Sequence, residues 1–173
     1  MTGPAHVVLV GLMGAGKSSV GRLLATALET SFVDTDEVLE ARGGATVAEL
    51  FARDGEEGFR ALELEVLDEV LRDPSGAVVA TGGGVVTTPA GRALLGRESA
   101  VVFLDVSAAV AAARVGDART RPLLAGDPRG TLKALAAERR AHYVEVADIV
   151  VGVDDRPPGA VVGAILEALG RTP

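Results

Sequence analysis

The sequence contains no cysteine, no asparagine and no glutamine, and only 3% of its residues are aromatic. The missing cysteine excludes disulfides and cysteine-based zinc sites. The missing asparagine excludes the Asn-Lys-x-Asp motif with which GTPase switches normally read guanine. Because aromatic residues are so few, valine, leucine and alanine must build the core. The length of 173 residues, with 48% hydrophobic and 24% charged residues, predicts a single globular domain spanning 1–173.

Lysine is also scarce, since the chain has 15 arginines and only two lysines, Lys17 and Lys133. The net charge is −7. An acidic surface repels phosphate backbones, so we expect no nucleic-acid partner. The apolar run His6–Val10 follows no basic segment and is too short for a signal-peptide core or a membrane span. We therefore predict a cytoplasmic protein that makes no membrane contact, and we expect a monomer.

Short apolar runs alternate with helical patterns along the chain. The runs predict five strands, at 6–10, 31–34, 77–80, 100–104 and 149–151. Helices are predicted at roughly 17–28, 36–42, 47–53, 57–72, 89–95, 108–115, 131–142 and 157–169. Continuously apolar strands separated by helices are typical of a doubly wound α/β domain with a parallel sheet. A loop at about 116–128, rich in glycine, proline and charged residues, is long enough to suggest a mobile lid.

The segment Gly11-Leu-Met-Gly-Ala-Gly-Lys17-Ser18 fits the pattern G-x-x-x-x-G-K-[ST] of a phosphate-binding loop. It lies between a strand pattern and a helical pattern, as this motif requires. The glycines let successive N–H groups turn around a polyphosphate, and the helix N-terminus adds partial positive charge. Lys17 is expected to reach the β- and γ-phosphates, and the Ser18 hydroxyl to bind Mg²⁺. The alternative is a glycine-rich turn that binds nothing, but all four fixed positions are present.

Asp34 and Asp36 stand at the predicted carboxyl end of the second strand. Residues i and i+2 of an extended segment share a face, and ligands of open α/β sheets bind beyond the carboxyl ends of the strands. We therefore expect both carboxylates in the cleft beside the loop. One would hold Mg²⁺ through water, and the other would accept hydroxyl hydrogen bonds or a proton. The alternative is that Asp36 only caps the following helix.

Two further features carry weaker signals on their own. Gly82-Gly83-Gly84 follows the third strand, where it either leaves room for a ligand to approach the backbone or forms a tight turn without one. Arg60, Arg121 and Arg139 are isolated arginines, for which a solvated side chain is the default interpretation. They indicate a binding site only if the fold brings them around one cleft.

Together these residues resemble the shikimate kinase family. The matching elements follow the family's order: the loop at 11–18, Asp-Thr-Asp at 34–36, Phe59-Arg60, the triple glycine at 82–84, Arg121-Pro-Leu-Leu-Ala-Gly126, and Arg139 four residues before Tyr143. The resemblance implies a three-layer P-loop kinase fold, with a five-stranded parallel sheet flanked by helices, a lid, and a substrate-binding helical insertion at about 36–62. It also implies Mg²⁺-dependent transfer of the ATP γ-phosphoryl group to the 3-hydroxyl of shikimate, which yields shikimate 3-phosphate and ADP.

The resemblance implies a role for each matching residue. The catalytic residues are Lys17, Asp36 and Arg121. The metal-binding residues are Ser18 and Asp34, which leaves Asp105, at the end of a strand that looks like a Walker B motif, as a structural residue. The ATP-binding residues are Gly14, Ala15, Gly16, Lys17, Ser18, Ser19, Arg114, Arg121, Arg156 and Pro158. The substrate-binding residues are Asp36, Arg60, Gly82, Gly83, Gly84 and Arg139, with the two arginines gripping the shikimate carboxylate.

Two alternatives stay open at the level of the sequence. Another small-metabolite kinase, such as gluconate kinase, would also suit a carboxylate clamp, although the Asp-Thr-Asp and triple-glycine combination favours shikimate. A non-catalytic nucleotide-binding module fits less well, because a lid that carries Arg121 favours turnover.

Overall fold

Five parallel strands form one sheet, in the spatial order β2-β3-β1-β4-β5, in the computed structural model of the chain. The structure describes residues 6–97, 99–115, 124 and 126–171. The strands are β1 (His6–Val10), β2 (Ser31–Asp34), β3 (Ala77–Ala80), β4 (Ser99–Asp105) and β5 (Ile149–Gly152). Parallel pairing brings their carboxyl ends to one edge of the sheet, where Asp34 lies beside Ala80 and Asp105 beside Gly152.

Helices flank this sheet. Within the described ranges they are α1 (Lys17–Ala27), α2 (Thr35–Gly43), α3 (Val47–Leu71), α4 (Pro89–Leu95), α5 (Ala108–Val115), α6 (Pro128–Val146) and α7 (Pro158–Ala168), with a 3₁₀ turn at Val85–Thr87. Helix α1 packs against α7, and α6 packs against α4 and α5. The predicted α/β class, with a five-stranded parallel sheet between helices, is confirmed.

Aliphatic side chains fill both faces of the central strands. Val8, Leu9 and Val10 of β1 are completely buried, because β1 has a neighbouring strand on each side and helices above and below. A second, smaller core lies between α2 and α3 and is formed by Leu39, Leu50, Phe59 and Val66. The predicted insertion at about 36–62 therefore has hydrophobic contacts of its own. None of the helices in the described part of the chain is long and apolar enough to cross a bilayer.

One helix prediction is wrong in its bounds, and another is confirmed. Helix α6 begins at Pro128 rather than at 131, because the Asp127 side chain accepts a hydrogen bond from Gly130 N at 3.0 Å and proline fits a first helical turn. The helix thus starts inside the predicted lid, of which 116–123 and 125 lie outside the described residues. The break predicted between the helices at 47–53 and 57–72 is confirmed, because the chain within α3 leaves helical geometry at Gly55, with φ 71° and ψ 178°.

Candidate active site

The phosphate-binding loop joins β1 to α1 at the carboxyl edge of the sheet. Gly14 and Gly16 have φ angles of 84° and 87°, in the left-handed region that favours glycine. Gly16 is the N-cap of α1, and since it has no side chain, no side-chain cap satisfies the first N–H groups of the helix. Lys17 Nζ donates to the carbonyls of Gly11 and Leu12 at 2.8 and 2.9 Å. The loop therefore has the backbone shape and the cation that a polyphosphate needs.

Ser18 and Asp34 bring two oxygen ligands together beside the loop. The Ser18 hydroxyl donates to Asp34 Oδ2 at 2.6 Å. The other carboxylate oxygen accepts a hydrogen bond from the Asp36 backbone N–H at 3.0 Å, which makes Asp34 the N-cap of α2. The alternative that Asp36 is this cap is therefore wrong. A hydroxyl and a carboxylate are hard oxygen donors of the kind that Mg²⁺ uses together with substrate phosphates, so the pair fits the predicted metal.

A buried charged cluster lies on the other side of the cleft. Arg60 on α3 and Arg139 on α6 are only 9% and 5% exposed. Arg60 Nη1 donates to Glu63 Oε2 at 2.7 Å, one turn along the same helix. Among the described residues, the Nε groups of both arginines lack a hydrogen-bond partner. The protein itself thus satisfies only part of the donor capacity of these guanidinium groups, and such a pair suits an anionic ligand.

Glu63 is not among the residues predicted from the sequence. Burial raises its pKa above the ordinary carboxyl value. The charge and the hydrogen bond of Arg60 oppose this rise, as does the charge of Arg139, whereas the charge of Asp36 adds to it. A signal was present, because Arg60 and Glu63 are three residues apart in a helical pattern and therefore share a face.

The triple glycine makes room for these charged side chains. A Cβ atom at Gly84 would lie 2.1 Å from Arg60 Nη2, and one at Gly82 would lie 2.5 Å from Glu63 Oε1. A Cβ at Gly83 would stand 3.6 Å from Arg139 Nη1, which is an ordinary contact distance. Any side chain at 82 or 84 would therefore force Glu63 or Arg60 to move. The glycines serve the buried cluster as well as any ligand, which the sequence-based interpretation did not anticipate.

Tyr143 joins α6 to the triple glycine. Its hydroxyl donates to the Gly83 carbonyl, and its ring stacks on Phe103 with the two centroids 5.0 Å apart. Burial raises the pKa of Tyr143 to about 12, so the hydroxyl keeps its proton and its hydrogen bond at neutral pH. This contact fixes α6 about one helical turn beyond Arg139.

One cleft of about 590 Å³ contains both sides of the candidate site. Phe51 and Phe59, with ring centroids 5.4 Å apart, give it an apolar wall that was not predicted from the sequence. The predicted residues that line the cleft are Gly14, Gly16, Lys17, Ser18, Ser19, Asp34, Asp36, Arg60, Gly82, Gly83, Gly84, Arg114 and Arg139. The fold therefore brings a phosphate-binding loop to face a buried arginine pair.

Ala15, Arg156 and Pro158 do not line this cleft. Ala15 is buried within the loop, with 1% of its surface exposed. Pro158 is exposed in the first turn of α7, and Arg156 lines a neighbouring cavity of about 570 Å³. Their predicted contacts with ATP stay predictions. Arg121, expected to reach the phosphates, lies outside the described residues.

Arg114 and Asp105 contact other elements at the same edge of the sheet. Arg114 donates to the Val153 carbonyl at 2.8 Å and to the Gly14 carbonyl at 3.5 Å, so it links the phosphate-binding loop to the segment after β5. Asp105 pairs with Arg140 on α6 at 2.7 Å. This ion pair is consistent with the structural role predicted for Asp105.

Known proteins resemble the chain over almost its full length. A family model described as shikimate kinase matches residues 13–170. The shikimate kinase of Halorhodospira halophila is 47% identical over 171 residues, which make up 98% of this chain and 96% of that protein. The chain belongs to the shikimate kinase family. The solved structure of shikimate kinase from Acinetobacter baumannii in complex with shikimate has a TM-score of 0.91 and 36% identity to this family member, covering 96% of this chain and 92% of that one.

Membership of the shikimate kinase family also distinguishes this function from the two alternatives, another small-metabolite kinase and a non-catalytic nucleotide-binding module. Its assignment confirms that the chain is an ATP-dependent small-molecule kinase rather than a non-catalytic module. A gluconokinase from Sinorhizobium meliloti has a TM-score of 0.61 and 21% identity, covering 98% of this chain and 94% of that one. At that identity the likeness shows a common fold alone.

Proposed function

We propose that this member of the shikimate kinase family transfers the γ-phosphoryl group of ATP to the 3-hydroxyl of shikimate, yielding shikimate 3-phosphate and ADP. One observation carries the proposal: the phosphate-binding loop with Lys17 and the buried pair Arg60 and Arg139 share one cleft. Phosphoryl transfer depends on positioning and on charge neutralisation rather than on covalent chemistry of the protein. A site with these two sides meets both needs.

The donor side binds the polyphosphate. Backbone N–H groups at the start of α1 bind phosphate oxygens, and Lys17 moves from the loop carbonyls to the β- and γ-phosphates. Ser18 and Asp34, whose side-chain oxygens lie 2.6 Å apart, are the residues that would hold Mg²⁺. When bound, this ion neutralises negative charge on the β- and γ-phosphates.

The acceptor side binds shikimate and orients its hydroxyl. Arg60 and Arg139 bind the carboxylate through charge-assisted hydrogen bonds. Asp36 accepts a hydrogen bond from the 3-hydroxyl and so directs the oxygen toward the γ-phosphorus. That oxygen forms the new bond to phosphorus, the bond to the β,γ-bridging oxygen breaks, and the hydroxyl proton leaves on the Asp36 side. ADP departs with the electron pair of the broken bond.

An ADP-release assay with matched acceptors tests this function. Shikimate should support turnover, whereas the methyl ester of shikimate should require a much higher concentration, because it keeps the hydroxyls but lacks the anion. Gluconate tests the alternative acceptor, and nucleoside monophosphates test the wider fold class. Turnover with gluconate at a kcat/KM equal to or above that with shikimate would contradict the proposal.

Three attributes remain predictions from the sequence. They are a location in the cytoplasm, a monomeric state and the absence of nucleic-acid partners. Sedimentation of the full chain with and without both substrates is the direct measurement of its oligomeric state.

A further inference from the structure

Glu63 is a buried ionisable group that the proposed phosphoryl transfer does not use. It is 2% exposed, and its Oε2 accepts a hydrogen bond from Arg60 Nη1 at 2.7 Å. Arg60 is also one of the two arginines assigned to the carboxylate of the acceptor. Glu63 and an acceptor carboxylate would therefore bind the same guanidinium group.

Four charged or titratable groups face Glu63. They are Arg60 on its own helix, Asp36 on α2, and Arg139 and Tyr143 on α6. The second oxygen, Oε1, lies in the same region as Asp36, since a Cβ of Gly82 would stand 2.5 Å from Glu63 Oε1 and 3.3 Å from Asp36 Oδ1. The charges of two cations and two carboxylates thus balance within the protein, with Tyr143 neutral at ordinary pH because burial raises its pKa to about 12.

An acceptor carboxylate that binds here gives the cluster a net negative charge. Among the described groups that act on Glu63 there are two cations, Arg60 and Arg139, and the acceptor carboxylate adds a third negative charge beside these buried side chains. Like charges that share one buried site favour protonation of one carboxyl. Burial already raises the pKa of Glu63 above that of an ordinary carboxyl, so this side chain is the one best prepared to accept the proton.

We propose that Glu63 takes up one proton when the acceptor carboxylate binds to Arg60 and Arg139. The proton comes from a buffer acid, which leaves as its conjugate base, and it bonds to a Glu63 carboxyl oxygen. Once neutral, Glu63 no longer forms an ion pair with Arg60, and the guanidinium group can pair with the acceptor carboxylate instead. This inference rests on the proposed function, because it requires shikimate as the acceptor.

Proton uptake determines the direction in which the affinity for shikimate changes with pH. Binding that raises the pKa of a group is tightest at low pH and weakens as the pH rises between the pKa of the free protein and that of the complex. Within that interval the dissociation constant of shikimate increases by up to about tenfold per pH unit for one proton. Outside the interval the affinity does not change with pH.

Isothermal titration of shikimate into the full chain tests the inference. The titration is repeated at one pH in several buffers that differ in ionisation enthalpy. Because buffer must release each proton that the protein takes up, the observed enthalpy should increase with the ionisation enthalpy of the buffer, with a positive slope of up to about one. The slope should vanish in Glu63→Gln and persist in Glu65→Gln, a matched control on the exposed surface of the same helix.

Each possible result of the titration either supports or overturns proton uptake by Glu63. A parent chain that binds shikimate with no buffer-dependent enthalpy overturns the inference and leaves the proposed function intact. A slope that persists in folded Glu63→Gln assigns the proton to another group and also overturns it. If Glu63→Gln does not fold, as judged by thermal unfolding, Asp36→Asn takes its place. With one carboxylate fewer, the acceptor no longer adds a third negative charge, so a slope that disappears supports the inference and a slope of unchanged size overturns it. If shikimate neither binds nor supports ADP release, the proposed function itself fails.

Discussion

The two sides of the cleft are built in different ways. The donor side is formed by eight consecutive residues, Gly11–Ser18, which act mainly through backbone groups, together with Asp34. Ser18 is exposed. The acceptor side joins side chains from three helices, α2, α3 and α6, and its arginines are at most 9% exposed. Charges on the donor side are screened by water and salt, whereas those on the acceptor side act in a medium of low dielectric. The donor side therefore depends on local backbone shape, and the acceptor side on packing.

The largest effect is expected at the donor side, from Lys17→Ala. This change removes the cation that neutralises the transferred phosphoryl group, and it should lower kcat by about 10²–10³-fold, as does the loss of a charge-stabilising donor in other active sites. A coupled assay of ADP release measures the effect. Lys133→Ala is the matched control, because Lys133 is the other lysine of the chain and is exposed on α6. Near-parental turnover in Lys17→Ala would remove Lys17 from the catalytic residues.

Arg139→Ala should separate the two sides most clearly. It removes charge-assisted hydrogen bonds to the acceptor, each contributing about 1.5–3 kcal/mol, so shikimate binding should weaken by about 10–150-fold. Affinity for ADP should stay close to that of the parent, since Arg139 lies on the acceptor side. Isothermal titration with each ligand gives both constants.

Arg140→Ala provides the comparison for Arg139→Ala. Arg140 is the neighbouring residue on α6, but its ion pair with Asp105 leaves the arginine side chain 59% exposed. Exposed pairs contribute about 0–1 kcal/mol, so this variant should bind both ligands almost normally. Weaker ADP binding with normal shikimate binding in Arg139→Ala would reverse the assignment of the two sides.

The difference between the two sides also explains which residues could be predicted. The phosphate-binding loop and the strands were predicted well, because a contiguous motif and continuous apolar runs are local signals. The spacing of Arg60 and Glu63 indicates that the two share a helix face. The approach of Glu63 to Asp36 and the spatial role of Gly84 depend on which side chains the fold brings together, and no local pattern contains that information. The start of α6 was predicted three residues too late, because its cap residue Asp127 and its first residue Pro128 lie in the segment that was predicted to be a loop. The contact of Arg121 with the phosphates stays a prediction.

Gly84→Ala tests whether packing controls the acceptor side. The added Cβ would lie 2.1 Å from Arg60 Nη2, so the guanidinium must leave its position. The KM for shikimate should increase by about tenfold, which corresponds to the loss of one charge-assisted hydrogen bond at the lower end of its range, with little change in the KM for ATP. Gly163→Ala on α7 is the matched control, because a Cβ there meets no atom within 4 Å. Equal effects on both KM values would mean that the substitution disturbs the whole cleft.

Tyr143→Phe should have the smallest effect on activity and should act through stability instead. Without the hydroxyl of Tyr143, the Gly83 carbonyl loses a hydrogen bond. This loss should lower the free energy of unfolding by about 1–3 kcal/mol. The folded-state pKa of Tyr143 is raised to about 12, so the stabilisation is fully present below the unfolded pKa of about 10 and is lost only as the pH rises through the folded value. Urea unfolding of both proteins should therefore give the same stability difference from neutral pH up to about pH 9. A difference that shrinks within this interval would mean that the hydroxyl ionises in the folded protein and that the contact between α6 and the triple glycine is weaker than the structure indicates.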